Sequence, residues 1–173
     1  MDAGSTRNRR SDAQANRERI VAAARAVFGA ASDAPTRAVA RAAGVGVATV
    51  YRHFPSREDL VDAVLRELVD GCERDLRAAV AHEDPRAGLA FAIRAFAARQ
   101  AENRELGTVL MRRFPQERAE HSAQFDALVA RAKGAMRDGL TVQDVRAGLM
   151  GIAGASRAAV PRLTEVVLAG ILA

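Results

Sequence analysis

The stretch AGVGVATVYRHFPSRED, residues 43–59, decides the fold of this 173-residue chain. A tyrosine, an arginine and a histidine follow one another at its centre, and Pro55 interrupts the segment soon afterwards. Val50 and Phe54 are one helical turn apart, so in a helix they lie on the same side. The polar and aromatic neighbours are then left on the opposite side. This pattern predicts a short helix that two apolar residues anchor and that presents a polar outer surface.

A second short helix is predicted directly upstream, over about residues 35–42. Two short helices that cross steeply must approach closely, and Ala40 is small enough for the contact point. Gly44 can adopt the positive φ that a tight turn between them needs. The residues spaced to fill the crossing are Val39, Val45 and Val50. Residues 35–54 therefore predict a helix-turn-helix, a motif that places its second helix in the DNA major groove.

The outer surface of that second helix has the chemistry of a DNA-binding helix. Three side chains can donate a hydrogen bond to a phosphate oxygen, namely Thr49, Tyr51 and His53. Arg52 can bind guanine O6 and N7 or grip a phosphate. Val47 and Ala48 are short enough to let the backbone approach base edges. The alternative interpretation is that Tyr51 is a core residue and the arginines are merely solvated.

Helix signals continue along the whole chain, and no segment shows the alternation of a strand. Two capping boxes, at 56–59 and 141–144, mark helix starts. Helices are predicted over about 16–29, 35–42, 47–53, 57–81, 85–101, 104–113 and 116–138, after Thr141, and after Pro161. The fold class is therefore all-α with about nine helices: a three-helix head followed by a helical bundle.

Positive charge is concentrated in the first third of the chain. Residues 1–60 contain ten Lys/Arg and six Asp/Glu, whereas residues 61–173 contain sixteen and fifteen. A basic end on a nearly neutral body favours a polyanionic partner for that end. Residues 1–15 are polar and predict a disordered basic arm. Its arginines could reach a phosphate or a minor groove, or could simply be solvated; they are Arg7, Arg9 and Arg10.

Several absences favour a cytoplasmic protein that is not an enzyme. Cys72 is the only cysteine, so no intramolecular disulfide can form. No apolar run approaches the roughly 18 residues of a membrane span, and the N-terminus does not have the pattern of a signal peptide. The histidines lack metal-ligand spacing, and no nucleophile or nucleotide-binding motif is present. We therefore expect no catalytic residue, no metal and no cofactor, and we interpret Cys72 as inert packing.

Two segments identify a family resemblance: RERIVAAARAVF, residues 17–28, and PTRAVARAAGVGVATVYRHFPSREDLVDAVL, residues 35–65. They resemble the N-terminal domain of the tetracycline-repressor (TetR) family of bacterial transcription regulators, over roughly residues 16–70. The resemblance implies a DNA-binding head at 16–62 and a ligand-binding and dimerisation body at 63–173. It also implies contacts to the DNA backbone from Thr36, Arg37, Thr49, Tyr51, His53 and Arg57, and base-edge positions at Val47, Ala48 and Arg52. Arg37 is implied to read a base as well.

The resemblance implies that the last two helices form the dimer interface, and the residues offer candidates for it. Small residues recur along the helix that begins after Thr141, which lets another helix come close. The interface candidates are Val145, Gly148, Leu149, Gly151, Ile152, Ala155, Leu163, Val166, Val167 and Gly170. The alternative is that both helices pack inside the monomer.

Large apolar residues of the body are candidate walls of a ligand pocket, since such pockets are mainly apolar. The candidates are Phe91, Phe96, Met111, Phe114, Phe125, Met136 and Met150. Each of them could equally be ordinary core. Arginines that could meet an anionic group, or lie on the surface, are Arg94, Arg99, Arg112 and Arg113.

These features predict a ligand-responsive transcriptional regulator. Its partners are a double-stranded DNA operator of palindromic sequence, a second copy of the chain, and a small-molecule effector that releases a repressor from DNA. An alternative is a constitutive or architectural DNA-binding protein without an effector. A head that binds another protein is a further alternative, which an operator-binding assay would separate.

Overall fold

A computed structural model describes the backbone of residues 3–173, with the side chains of residues 12–107, 109–110 and 112–173. Within that part of the chain the regular structure is helical, with one short 3₁₀ segment at Lys133–Ala135 and no strand. The helices are α1 (Ala3–Ala30), α2 (Thr36–Ala43), α3 (Val47–His53), α4 (Arg57–Ala81), α5 (Pro85–Glu102), α6 (Arg104–Arg113), α7 (Pro115–Arg131), α8 (Val142–Gly154) and α9 (Val160–Ile171). The predicted all-α class is confirmed.

The chain divides into two compact units between Glu67 and Leu68, inside α4. The sequence placed the boundary between residues 62 and 63. The first unit contains α1–α3 and the start of α4, and the second contains the rest of the chain.

Helix α1 begins earlier than the sequence predicted. A disordered arm was expected over residues 1–15, but α1 already starts at Ala3. Once a helix has nucleated, each further residue adds one hydrogen bond, and this segment has no proline to stop the propagation. The Gln14 amide donates to the Glu18 carboxylate one turn on, at 2.7 Å. The side chains of Arg7, Arg9 and Arg10 lie outside the described residues.

The buried stripe of α1 holds the core of the first unit. Ile20, Ala24 and Phe28 are fully buried there, at the spacing of one helix face. Leu60 and Val64 of α4 are equally buried. This core provides the base on which the two short helices rest.

Local side-chain hydrogen bonds set the starts of three helices. The hydroxyl of Ser56 accepts from the Asp59 N–H at 3.0 Å, and the Asp59 carboxylate accepts from the Ser56 N–H at 2.9 Å. Thr141 and Asp144 form the same reciprocal pair at the start of α8. Both predicted capping boxes are thus present. The Asp84 carboxylate caps α5 by accepting from the Arg86 N–H at 2.9 Å.

The second unit packs α7, α8 and α9 around α5. Its buried core includes Leu89, Ile93, Leu128, Val145, Ile152 and Leu168. A Cβ on Gly88 would lie 2.5 Å from the Ala79 carbonyl oxygen, so only glycine allows the close approach of α4 and α5 there. None of the described helices is long and apolar enough to cross a membrane.

The segment after α7 departs from the sequence prediction. A helix was predicted to continue to residue 138, but α7 ends at Arg131. Met136 instead takes an extended conformation and forms a β-bridge with Leu172. The Arg137 N–H donates to the Ile171 carbonyl at 2.9 Å. These contacts with the end of α9 and the residue after it keep Met136 and Arg137 out of the helical conformation.

Candidate DNA interface and effector cavity

The turn between α2 and α3 depends on Gly44. Its φ of 66° and ψ of 34° lie in the left-handed region, where a side chain with a Cβ is strained. The Gly44 N–H donates to the Arg41 carbonyl at 3.2 Å, and the Val45 N–H donates to the Ala40 carbonyl at 3.0 Å. The last carbonyls of α2 are thereby satisfied, and the chain reverses tightly into α3.

The crossing of α2 and α3 is filled as the sequence predicted. Ala40 is buried at the contact, as are Val39, Val50 and Phe54, and Val45 is half-buried. The guanidinium of Arg17 covers the Phe54 ring from α1 at 5.0 Å. These contacts fix the inner side of α3 and therefore determine which residues it presents outward.

The outer side of α3 is accessible. Tyr51 is 47% exposed and Val47 is 41% exposed, and Ala48 and Arg52 are also exposed. Thr49 is half-buried. The interpretation of Tyr51 as a core residue is therefore excluded by its exposure.

His53 is turned partly inward at the end of α3. It is half-buried, and its ring lies 6.5 Å from that of Phe54. Its Nε2 is buried and has no hydrogen-bond partner among the described residues. A phosphate contact from this ring would therefore use Nδ1.

Thr36 and Arg37, the first residues of α2, differ in accessibility. Thr36 is only 8% exposed, whereas Arg37 is exposed. Pro35 precedes them and provides no side-chain cap, and Thr36 begins the helix packed against the unit. Of the two side chains, that of Arg37 is the more accessible to a duplex.

Arg57 forms a bond network inside the first unit. Its guanidinium donates to the carbonyl of Ser32 and to that of Ala34, the latter at 3.3 Å, and it lies 4.8 Å over the Phe28 ring. Unpaired carbonyls in the loop after α1 accept these bonds. The implied phosphate contact from Arg57 stays a prediction, since a single guanidinium nitrogen, Nη2, makes both bonds within the unit. The Asp59 carboxylate already accepts from the Ser56 N–H at the start of α4. Its negative charge weakens the attraction between this helix start and a phosphate.

A further exposed cation of the head was absent from the sequence-based assignment. Arg41 is exposed in the last turn of α2. Arg41 lies within the helix-turn-helix, but no sequence pattern at this position indicates a DNA contact. Its exposure in the fold adds it to the basic surface of this unit.

The second unit contains a cavity of about 360 Å³, with walls from α4, α5, α6, α7 and α8. Its walls are mainly apolar and include Leu68, Cys72, Leu76, Phe96, Phe125 and Leu149. The volume lies within the range of small-molecule sites in proteins, roughly 300–1,000 Å³. Burial raises the pKa of the Cys72 thiol, which keeps it protonated and agrees with an unreactive wall residue.

Residues 20–64 match the family model described as bacterial regulatory proteins of the TetR family. A TetR transcriptional regulator from Streptomyces coelicolor is 30% identical, with a TM-score of 0.66, over 90% of this chain and 98% of that one. The chain belongs to the TetR family. A TetR regulatory protein from Mycobacterium vanbaalenii is 29% identical, with a TM-score of 0.70, over 95% of this chain and 99% of that one. No curated protein matches the chain.

A third structure shares the fold at lower identity. A ketosteroid transcriptional regulator of Mycobacterium tuberculosis is 19% identical, with a TM-score of 0.66, over 91% of this chain and 95% of that one. Membership of the TetR family makes the chain a DNA-binding transcriptional regulator with an N-terminal helix-turn-helix. TetR regulators are transcription factors and not enzymes.

Four of the seven predicted pocket residues line the cavity of this TetR protein: Phe96, Phe114, Phe125 and Met150. Phe91 does not, because it is exposed and its ring lies 5.5 Å from that of His82. Met136 does not either, because its bridge to Leu172 places it in the core. The side chain of Met111 lies outside the described residues.

Of the three arginines that line the cavity, Arg99 and Arg146 are each bound to a carboxylate. The Arg99 Nε donates to Asp75 at 2.7 Å, and a Cβ on Gly71 would collide with the Arg99 guanidinium. Arg146 donates to both carboxylate oxygens of Asp126, at 3.0 and 2.8 Å. Arg146 escaped the sequence analysis because its neighbours in the cavity come from other helices.

The remaining candidate cations lie at the surface. Arg94 is exposed and forms a bidentate pair with Glu165 at 3.0 Å, which lowers the pKa of that carboxyl. Arg112 and Arg113 are exposed in the last turn of α6. None of these three lines the cavity.

The predicted dimer face is divided between the monomer core and the surface. Val145 and Ile152 are fully buried inside the monomer. A Cβ on Gly148 would lie 2.9 Å from a Val167 methyl, so this glycine brings α8 and α9 together within one chain. The other half-buried candidates pack against the core or line the cavity: Leu149, Ala155, Leu163 and Val167. The candidates that remain exposed are Gly151, Val166 and Gly170.

Proposed function

We propose that this TetR protein is a ligand-responsive repressor that binds a palindromic operator as a homodimer. The observation that carries the proposal is the outer side of α3, which is polar and exposed while Val50 and Phe54 anchor its inner side. A helix held in this way can enter a major groove without rearranging.

The accessible residues divide into two roles on DNA. In this proposal Thr49, Tyr51 and Arg37 bind phosphates and fix the register of the helix, and His53 binds a phosphate through Nδ1. Arg52 is the candidate for a bidentate contact with guanine. The small exposed side chains at the start of α3, Val47 and Ala48, permit close approach to base edges.

A second copy of the chain is part of the proposal. A single three-helix head makes too few contacts for tight specific binding, so two heads must meet two half-sites. The exposed Gly151, Val166 and Gly170 provide a surface of small and apolar groups on the last two helices. An isologous contact through this surface gives the two-fold symmetry that a palindrome requires.

The cavity supplies the effector site. Helix α4 contributes residues to the first unit and also forms a wall of the cavity. An effector that binds better to the form with the wrong spacing of the two heads lowers the affinity for DNA. A hundredfold loss requires about 2.7 kcal/mol of differential binding, within the usual range of allosteric coupling.

The test begins with selection of operators from a genomic fragment library by the purified protein. Sedimentation should give two chains per operator, and log affinity should fall with log salt by about 0.9 for each neutralised phosphate. Binding by one chain, or no binding even at low salt, would refute the operator part. A compound that occupies the cavity without weakening operator binding would favour a constitutive DNA-binding protein.

A further inference from the structure

We propose that Arg41 binds the DNA backbone beside Arg37, so that α2 contacts phosphates at its last turn as well as at its first. This contact rests on the proposed binding of the head to an operator, to which it adds a residue. Three observations carry it: the faces of α2, the partners of the arginines in the first unit, and the charge of the helix-turn-helix.

Helix α2 has one buried face and two exposed flanks of different chemistry. The buried residues are Thr36, Val39, Ala40 and Ala43. Arg37 and Arg41 are both exposed and are four residues apart, so they lie on the same flank, about 40° apart around the helix axis and about 6 Å apart along it. The other flank carries Ala38 and Ala42. A duplex that meets Arg37 is therefore within reach of the long side chain of Arg41.

The arginines of the first unit differ in their partners. The described arginines outside α2 and α3 all interact with other groups of the protein, and they are Arg17, Arg19, Arg25, Arg57 and Arg66. Arg37, Arg41 and Arg52 are exposed and form no ion pair or side-chain hydrogen bond with the residues that the structure describes. A phosphate can therefore bind these three without breaking an internal bond.

The charge around Arg41 favours an anion. Residues 34–57 contain four arginines and no aspartate or glutamate, so no carboxylate of the motif competes with a phosphate for Arg41. Phosphates of one strand follow one another about every 3.4 Å along the duplex axis. The step of about 6 Å between Arg37 and Arg41 therefore suits two phosphates of one strand that are one or two nucleotides apart.

Moving the charge by one residue tests the position of Arg41. Arg41→Ala removes the contact, and Arg41→Ala combined with Ala42→Arg restores the net charge on the other flank of the same turn. Both variants are titrated with a selected operator and with a duplex of random sequence over a range of salt. On the operator, which receives two heads, both should lower the slope of log affinity against log salt by about 1.8, or about 0.9 per head. At 0.1 M salt the affinity should fall by about fivefold to tenfold per head.

The combined variant separates a phosphate contact from two simpler roles of Arg41. An arginine in the last turn stabilises α2 through the helix dipole, and any added positive charge increases the long-range attraction to DNA. The combined variant keeps both effects. Recovery of the wild-type slope by this variant overturns the proposal, and so does an unchanged slope in Arg41→Ala. Circular dichroism melting shows that the variants fold; if Arg41→Ala does not, Arg41→Gln, which keeps most of the alkyl stem, takes its place.

Base preference provides a second readout. Phosphate contacts carry no direct sequence information, so Arg41→Ala should weaken binding by each head to the operator and to the random duplex by the same factor. A loss confined to one base pair of the operator would make Arg41 a base-reading residue and overturn the phosphate contact. Arg41→Lys keeps a point charge that binds phosphate and should retain most of the wild-type slope. A slope as low as that of Arg41→Ala contradicts a contact through charge.

Failure of this contact differs from failure of the proposed function. If the unmodified protein binds its operator with a steep salt dependence and Arg41→Ala has the same slope, operator binding stands and the Arg41 contact is refuted. If the unmodified protein binds no DNA even at low salt, both are refuted.

Discussion

Replacing Arg57 tests whether this residue holds the first unit together or binds DNA. Its guanidinium reaches the carbonyls of Ser32 and Ala34, which lie 25 and 23 residues away in sequence, and it covers the Phe28 ring. Arg57→Ala removes all three contacts at once. Arg57→Lys keeps the positive charge but lacks the planar guanidinium, whose Nη2 donates to both carbonyls and which lies over the Phe28 ring.

The expected loss follows from these contacts. A hydrogen bond from a charged donor contributes about 1.5–3 kcal/mol, and a partly exposed cation–π contact adds about 0.5–1 kcal/mol. Because Arg57 is half-exposed, the lower end applies, so Arg57→Ala should destabilise the first unit by about 2 kcal/mol. Arg57→Lys should lose about half of that, since one carbonyl remains in reach.

The assay uses the only tyrosine of the chain. Tyr51 lies on α3 and there is no tryptophan, so tyrosine fluorescence during urea unfolding reports on the first unit alone. A loss of about 2 kcal/mol lowers the unfolding midpoint by about 1 M urea. Arg52→Ala, at a neighbouring exposed arginine, is the control and should shift stability by less than about 0.5 kcal/mol.

One outcome would contradict the structural role of Arg57. If Arg57→Ala unfolds at the wild-type urea concentration but binds DNA with a salt dependence reduced by about one phosphate, Arg57 is a DNA ligand. The network with Ser32 and Ala34 would then be of no energetic importance.

Three further changes are predicted from the same structure. Tyr51→Ala should weaken binding to specific and unrelated DNA alike, whereas Arg52→Ala should lose about 1–3 kcal/mol of discrimination at one base pair, as competition binding with single-base operator variants measures. Gly44→Ala should destabilise the first unit by about 1–2 kcal/mol because alanine is strained at positive φ; an unchanged urea midpoint contradicts this. The hydrogen bonds from Thr141 lower the pKa of Asp144. Its stabilising contribution is therefore complete above the unfolded-state pKa of about 4 and is lost as the pH falls through the lower folded-state value. Asp144→Asn should accordingly be less stable than wild type near neutral pH, and melting curves of the two should converge in acid.

Local signals in the sequence predicted the head in detail. Gly44, the small Ala40 and the pair Val50 and Phe54 act within a few residues of one another, so their consequences can be derived without knowing the rest of the fold. The capping boxes before α4 and α8 are local in the same sense. The predicted start of α1 was wrong, because a polar composition alone does not prevent a nucleated helix from extending.

The sequence by itself determined the all-α class, the helix-turn-helix and the outward side of α3, because each depends on spacings of one or two helical turns. Only the tertiary structure decided that Arg57 binds a distant loop and that Gly148 packs against Val167. It also decided that Met136 belongs to the core and Phe96 to the cavity. An apolar or cationic side chain looks the same in sequence whether it meets core, cavity or solvent. Its partner is set by packing between helices that are far apart along the chain.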